Sequence, residues 1–306
     1  MPRRLAAVDI GSNTVHVLVA DIRAGQLHDV AQYFEMPELG PAVDKTGEIG
    51  PAKAAEALDA LDSVLGRARE HGYEHLVAGA TAAIRRARDS EQFLARASAR
   101  AGVPVRLIDE HREAELSFDG VASRHAANHI WLMGDMGGGS TELVVANGQE
   151  MLQSVSLPLG SGTFAARYLS DPPQPGEREA LRAAALSEVR HAPEHEPQKL
   201  VMTGGTATNL PLVLSRQTPP AVLSTAALLT AGERLDAAPA ADVAAQVGLP
   251  EARVRALRGG VELLLLLLDF YGLAQFHVSH EGLRHGMLLA SLRHGEDWWR
   301  LTDVRR

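Results

Sequence analysis

Met133-Gly134-Asp135-Met136-Gly137-Gly138-Gly139-Ser140-Thr141-Glu142 restates, with substitutions, the earlier stretch Ala7-Val8-Asp9-Ile10-Gly11-Ser12-Asn13-Thr14. Each copy places a carboxylate at the end of a short apolar run. Small residues follow, whose backbone N–H groups can come close to an anion. Two copies of one device imply two walls of one site that holds phosphate and a divalent metal together. The likeness extends beyond the loops. Val15 to Ala20 follows the first copy, then a turn at residues 21–25 and a strand-like run to Phe34. Leu143 to Ala146 follows the second, then an Asn147-Gly148 hairpin turn and a run from Leu152 to Leu157. Duplication of one domain is the plainest explanation.

At 306 residues the chain is too long for one ordinary core and long enough for two. The boundary is expected after residue 122, giving domains 1–122 and 123–306, with the last helix able to pack back on the first. Apolar residues at 45% and charged residues at 22% are those of an ordinary globular protein. A net charge of −8 argues against a nucleic-acid partner, which calls for a basic field. Cysteine is absent, so disulfides, thiolate metal sites and thiol nucleophiles are excluded. Asp9 interrupts the first apolar run, so no signal peptide is expected. The run Val261 to Leu273 carries Glu262 and Asp269 and is too short to span a bilayer. It reads as a core or subunit-interface helix. A cytoplasmic chain, with no membrane partner and a homodimer through Leu263 to Leu268, is the expectation.

Apolar spacing predicts a helix from Pro51 to His71, and further helices over 90–101, 162–169 and 282–293. Strands are predicted at 76–79, 103–108, 130–133, 199–202 and 275–278, and the stretch 207–275 reads as mostly helical. Asp109 has the position of an N-cap for the helix after it. Strands alternating with helices in this way mean α/β layering.

Asp9 and Asp135 suit a hard cation such as Mg²⁺ or Mn²⁺, and Glu142 is a third candidate. Gly11, Ser12, Asn13 and Thr14 form one phosphate cradle. Gly137, Gly138, Gly139, Ser140 and Thr141 form a stronger one, since three glycines bend freely and two hydroxyls can donate. Thr203-Gly204-Gly205-Thr206 is a third loop of this kind, although Gly-Gly after a strand also serves tight packing. Arg85, Arg86 and Arg88 follow a predicted strand, and arginine suits phosphate oxygens. A solvated helix face explains two of the three equally well. Glu113 shares a helix face with Leu116 and Gly120 and can serve as a general base. On the residues alone it reads more readily as a surface glutamate beside Glu110 and Glu115.

Together these segments resemble the exopolyphosphatase / guanosine pentaphosphate phosphohydrolase family. The resemblance rests on Asp9 to Thr14, Ala80 to Arg85, Glu113-Ala114 ahead of Phe118-Asp119-Gly120-Val121, Asp135 to Glu142, Thr203 to Thr208, and Ser279 through Gly282-Leu283-Arg284 to Gly286. It implies the actin-like, ribonuclease H-like α/β fold, with two domains flanking a cleft. It also implies a metal-dependent hydrolase that takes the terminal phosphate from polyphosphate or guanosine pentaphosphate. By this match Glu113 is the catalytic base, Asp135 and Glu142 serve metal and attacking water, and Arg85 serves phosphate. Arg112 and His285 depart from the pattern, each standing where the family often has an acid. The rival readings are an ATP-dependent small-molecule kinase, supported by Val201 to Pro211, and a nucleotide-controlled scaffold of the same fold.

Overall fold

In the computed structural model, residues 3–300 are described. They form two compact units: the residues up to Gly120 with those from Glu281 onward, and Val121–His280. In chain order the first unit holds β1 (Arg3–Ile10), β2 (Val15–Arg23), β3 (Gln26–Glu35), α1 (Leu39–Thr46), α2 (Gly50–Arg69), β4 (His75–Ala80), α3 (Ala82–Arg86), α4 (Ser90–Ala101), β5 (Val105–Leu107) and the start of α5 (Glu110–His125). The second holds the end of α5, then β6 (Ala127–Met136), β7 (Thr141–Gly148), β8 (Glu150–Leu157), α6 (Ser161–Tyr168), α7 (Glu177–Val189), β9 (Leu200–Thr203), α8 (Gly204–Leu214), β10 (Val222–Ser224), α9 (Thr225–Asp236), α10 (Ala240–Val247), α11 (Glu251–Phe270) and β11 (Gln275–Val278). The chain then returns to the first unit as α12 (Leu283–His294) and a short 3₁₀ turn at Gly295–Asp297.

The first sheet runs β3-β2-β1-β4-β5, and the second β10-β11-β9-β6-β7-β8. Each is an antiparallel meander of three strands continued by parallel ones, with β10 as an extra edge strand on the second. The duplication holds at the level of register. Asp9 pairs with His16 as Asp135 pairs with Glu142, and the bulge at Val19/Ala20 recurs at Val145/Ala146.

The strand β1 is buried on both faces. Ala6, Val8 and Ile10 pack with α2 and α4 residues such as Leu61 and Phe93, while Leu5 and Ala7 join Leu116 of α5 and Met287 of α12. The period of two therefore puts Asp9 on the face covered by α5 and α12. In the second unit Leu132 and Met136 of β6 lie in the core with α7, α8, α9 and α11. Asp135 is turned to the opposite face by the same alternation.

Helix α11 is buried nearly all round, and five of the six leucines of its run are at most 6% exposed within their own unit's core. That placement leaves the run unavailable as a docking face for a second copy. Its buried Arg258 binds Asp171 and the Leu235 and Ala238 carbonyls, holding the 171 loop and the end of α9. Among the described residues no helix is long and apolar enough to cross a membrane.

Three local expectations need correction. The second hairpin turns at Gly148-Gln149, one residue later than read, since Asn147 pairs with Glu150 and Gly148 takes the left-handed φ of +62°. Helix α1 follows β3 in a segment for which no element was predicted. The edge strand β10 interrupts a stretch read as mostly helical, and three residues beside Pro219-Pro220 are too few to show a period.

Candidate active site

In an α/β sheet, ligands gather at the carboxyl ends of the parallel strands. In the first unit β1 ends at Asp9-Ile10, β4 at Ala80, and β5 leads through Ile108-Asp109 into α5. The loop after Asp9 is closed by Gly11 N–H donating to Thr14 O at 2.8 Å. Gly40 N–H reaches Ser12 O at 2.7 Å and Glu38 N–H reaches Asn13 O at 3.2 Å, so α1 braces the loop. Ser12 and Asn13 are buried, and the Ser12 hydroxyl has no hydrogen-bond partner among the described residues. That hydroxyl and the loop's N–H groups suit an anion's oxygens.

Helix α3 follows β4 directly and delivers Arg85. Its Nη1 donates to the Glu113 carboxylate at 2.6 Å and to the Ile108 carbonyl at 2.7 Å. Arg85, expected at phosphate, is seen here bound to Glu113 and to the strand end before α5. Asp109 is the N-cap foreseen for α5, accepting from Arg112 N–H at 2.9 Å. Glu113 thus stands in the first turn of a helix with the Arg85 guanidinium beside its carboxylate. Arg284, at the start of α12, lies 3.9 Å from Asp9. Sequence reasoning placed Arg284 in a motif without giving it a role.

In the second unit Gly137 N–H donates to Ser140 O at 2.9 Å, matching the bond from Gly11 to Thr14. The N-terminus of α6 holds this loop from outside, with Ser161 N–H on Gly137 O and Thr163 N–H on Gly138 O. A side chain at Gly160 would overlap the Gly138-Gly139 backbone. Asp135 and Glu142 are direct cross-strand partners, and Glu142, 2% exposed, accepts from the Ser156 hydroxyl at 2.8 Å. Their side chains share one sheet face with Cβ atoms about 5 Å apart.

Gly204 and Gly205 form the first turn of α8 rather than a free loop. At Gly204 the backbone has φ of +86°, and a Cβ would sit 2.7 Å from an Asp135 carboxylate oxygen. Only glycine lets this helix start so close to Asp135. One hydroxyl expected at phosphate is engaged elsewhere: Thr141 is fully buried and donates to the Leu159 carbonyl at 2.6 Å. Thr206 is buried with its methyl nearest Gly260 of α11, and its hydroxyl has no hydrogen-bond partner among the described residues.

Arg253 is a cation that sequence reasoning missed. It is 7% exposed, its guanidinium abuts the Gly205 backbone, and burial pulls its pKa down to about 10, so it stays charged at neutral pH. The available signal was helical spacing, because Arg253 and Gly260 stand seven residues apart on one face of α11 and both meet the start of α8.

Among the described residues no group of three or more His, Asp or Glu side chains stands ready for a metal. Asp135 and Glu142 nevertheless fit a hard cation: both are oxygen donors, and like charges directly opposite one another repel unless a cation lies between.

A model of the Ppx/GppA phosphatase family matches residues 18–294. The chain belongs to the Ppx/GppA family. Exopolyphosphatase 1 of Mycobacterium tuberculosis is 34% identical over 206 residues, which are 66% of this chain and 58% of that protein. The chain spans less than two thirds of that relative's length. Among solved structures, an exopolyphosphatase from Cytophaga hutchinsonii is 25% identical with a TM-score of 0.85, covering 95% of this chain and 98% of that one. The Aquifex aeolicus member of the Ppx/GppA family is also 25% identical, with a TM-score of 0.79 over 97% of this chain and 99% of that one. These likenesses agree with the actin-like α/β fold class expected for the family.

Proposed function

We propose that this member of the Ppx/GppA family is a metal-dependent exopolyphosphatase, removing the terminal phosphate of inorganic polyphosphate by in-line attack of water. The observation that carries the reading is the carboxylate pair Asp135–Glu142, opposed across two strands beside the glycine start of α8. The names of the relatives in Mycobacterium tuberculosis and Cytophaga hutchinsonii support it. Asp135 and Glu142 would hold Mg²⁺ or Mn²⁺, which supplies charge neutralisation to the phosphoryl oxygens when bound. In this reading Asp9, with Arg284 3.9 Å from its carboxylate, has its charge balanced within the first unit and stands outside the proposed ligand set.

Glu113 takes the proton of the attacking water, with Arg85 holding its carboxylate in one orientation. Within the second unit, the N–H groups at the start of α8, backed by Arg253, would donate to phosphate oxygens. Such transfers depend on positioning and charge more than on covalent help. Guanosine pentaphosphate offers the same terminal group and is the alternative substrate. A cytoplasmic setting belongs to the proposal as well.

Phosphate release from polyphosphate with Mg²⁺, without nucleotide or acceptor, tests the activity. Glu113→Gln is expected to slow release about 10²- to 10⁴-fold while polyphosphate binding is kept. Full activity in that variant removes Glu113 from the mechanism. Transfer only in the presence of an acceptor supports a kinase.

A further inference from the structure

Arg112 departs from the family pattern and has a buried guanidinium that the mechanism above does not use. The side chain is 4% exposed. Its Nε and Nη2 both donate to the carbonyl of Trp298, at 3.2 and 2.5 Å, and its Nη1 donates to Glu115 at 2.8 Å. All three guanidinium nitrogens are therefore engaged within the first unit. Trp298, 4% exposed, follows the 3₁₀ turn after α12 and packs in the core layer with Leu116, Leu283, Met287 and Leu288.

The place that this fork holds is the first turn of α5. Helix ends leave N–H groups unsatisfied and fray unless tied down. Here the turn follows the three-residue strand β5, which lies at the edge of its sheet. Three devices secure it: the Asp109 cap, the Arg85–Glu113 bond, and Arg112 on the Trp298 carbonyl. Arg112 and Glu113 are consecutive, so any movement of the turn moves the carboxylate with it. Farther along, α5 and α12 touch backbone to backbone, since a Cβ at Gly286 would overlap the Leu116 carbonyl and one at Gly120 would overlap that of Gly282. The close crossing joins the two helices at one end, and the arginine fork ties α12's trailing turn to α5 at the other.

We infer that Arg112 is a positioning residue for Glu113, acting as a latch that closes the turn after α12 over the start of α5. This rests on Glu113 as the general base. A merely structural arginine would lower stability and leave turnover per folded molecule unchanged. A positioning arginine lowers kcat with KM nearly constant, because binding does not need the base in place. A small displacement of a reacting group costs up to about a hundredfold in rate.

The test measures kcat and KM for polyphosphate in Arg112→Ala, Arg112→Lys and Trp298→Phe, with the folded fraction followed by circular dichroism at the assay temperature. Arg112→Ala should lose about tenfold or more in kcat per folded molecule, with KM within about twofold, and added guanidinium ion should restore part of the loss. Arg112→Lys keeps the charge but lacks the fork, so it should be impaired even where the alanine variant fails to fold. Trp298→Phe keeps the carbonyl and should match the parent. Unchanged kcat per folded molecule in either Arg112 variant overturns the latch. Glu113→Gln, assayed beside them, separates the two claims: an active Glu113→Gln removes the base, whereas an inactive one with normal Arg112 variants removes only the latch.

Discussion

The two copies of the Asp-Gly loop share a backbone and differ in what stands across from the aspartate. Asp9 has His16 opposite and Arg284 at 3.9 Å, while Asp135 has Glu142 opposite and a glycine helix start beside it. The shared hydrogen bonds, Gly11 to Thr14 and Gly137 to Ser140, show how little the main chain has diverged. One ancestral loop thus supports two electrostatic settings, one with an arginine beside its aspartate and one with a second carboxylate opposite it. The difference lies in single side chains at matched register positions, so it can be broken one residue at a time.

The largest effect is expected at Glu142. Glu142→Gln should lower Mg²⁺-dependent phosphate release about a hundredfold, whereas His16→Gln, its counterpart in the first copy, should change it by less than about threefold. Equal losses would make the two loops alike. Arg85→Gln should reduce kcat about tenfold or more through loss of the bond to Glu113, with KM little affected; a raised KM and constant kcat would return Arg85 to the phosphate.

Stability gives a smaller contrast. Gly259→Ala, where a Cβ would stand 2.6 Å from the Ser161 carbonyl, should cost about 1–3 kcal/mol in urea unfolding. Gly66→Ala, with nothing within 4 Å of the added carbon in α2, should be neutral or stabilising by up to about 1 kcal/mol.

The smallest effect concerns acid. Asp21 accepts from Arg4 and Arg23, which bring its pKa from 3.8 down to about 2. Its folded pKa is depressed, so its contribution is complete above the ordinary value and lost as pH falls from about 4 towards 2. The matching residue of the second copy is Asn147. Asp21→Asn should therefore flatten the fall in the urea midpoint over that range, and an unchanged slope would show that the ion pairs contribute nothing there.

The parts of the site that depend on one stretch of chain were legible beforehand. Alternating apolar residues ending on an aspartate and running into glycines define the Asp9 and Asp135 loops locally, and the hairpins after them follow from the same period. Glu113 was not distinguishable from Glu110 or Glu115 by spacing, because Arg85 picks it out across 28 positions of sequence. Arg253 reaches the start of α8 from α11, and no local pattern at Gly205 announces it. Thr141 differs for the opposite reason. A hydroxyl beside glycines looks available to an anion until the fold turns it towards the Leu159 carbonyl.

Manganese binding, read by electron paramagnetic resonance without substrate, tests most directly whether one copy holds the metal and the other does not. Titrations of Asp9→Asn and Glu142→Gln side by side should leave affinity within about twofold in the first and weaken it at least about tenfold in the second. Equal weakening, or a loss confined to Asp9→Asn, would contradict the assignment of the cation to Asp135 and Glu142.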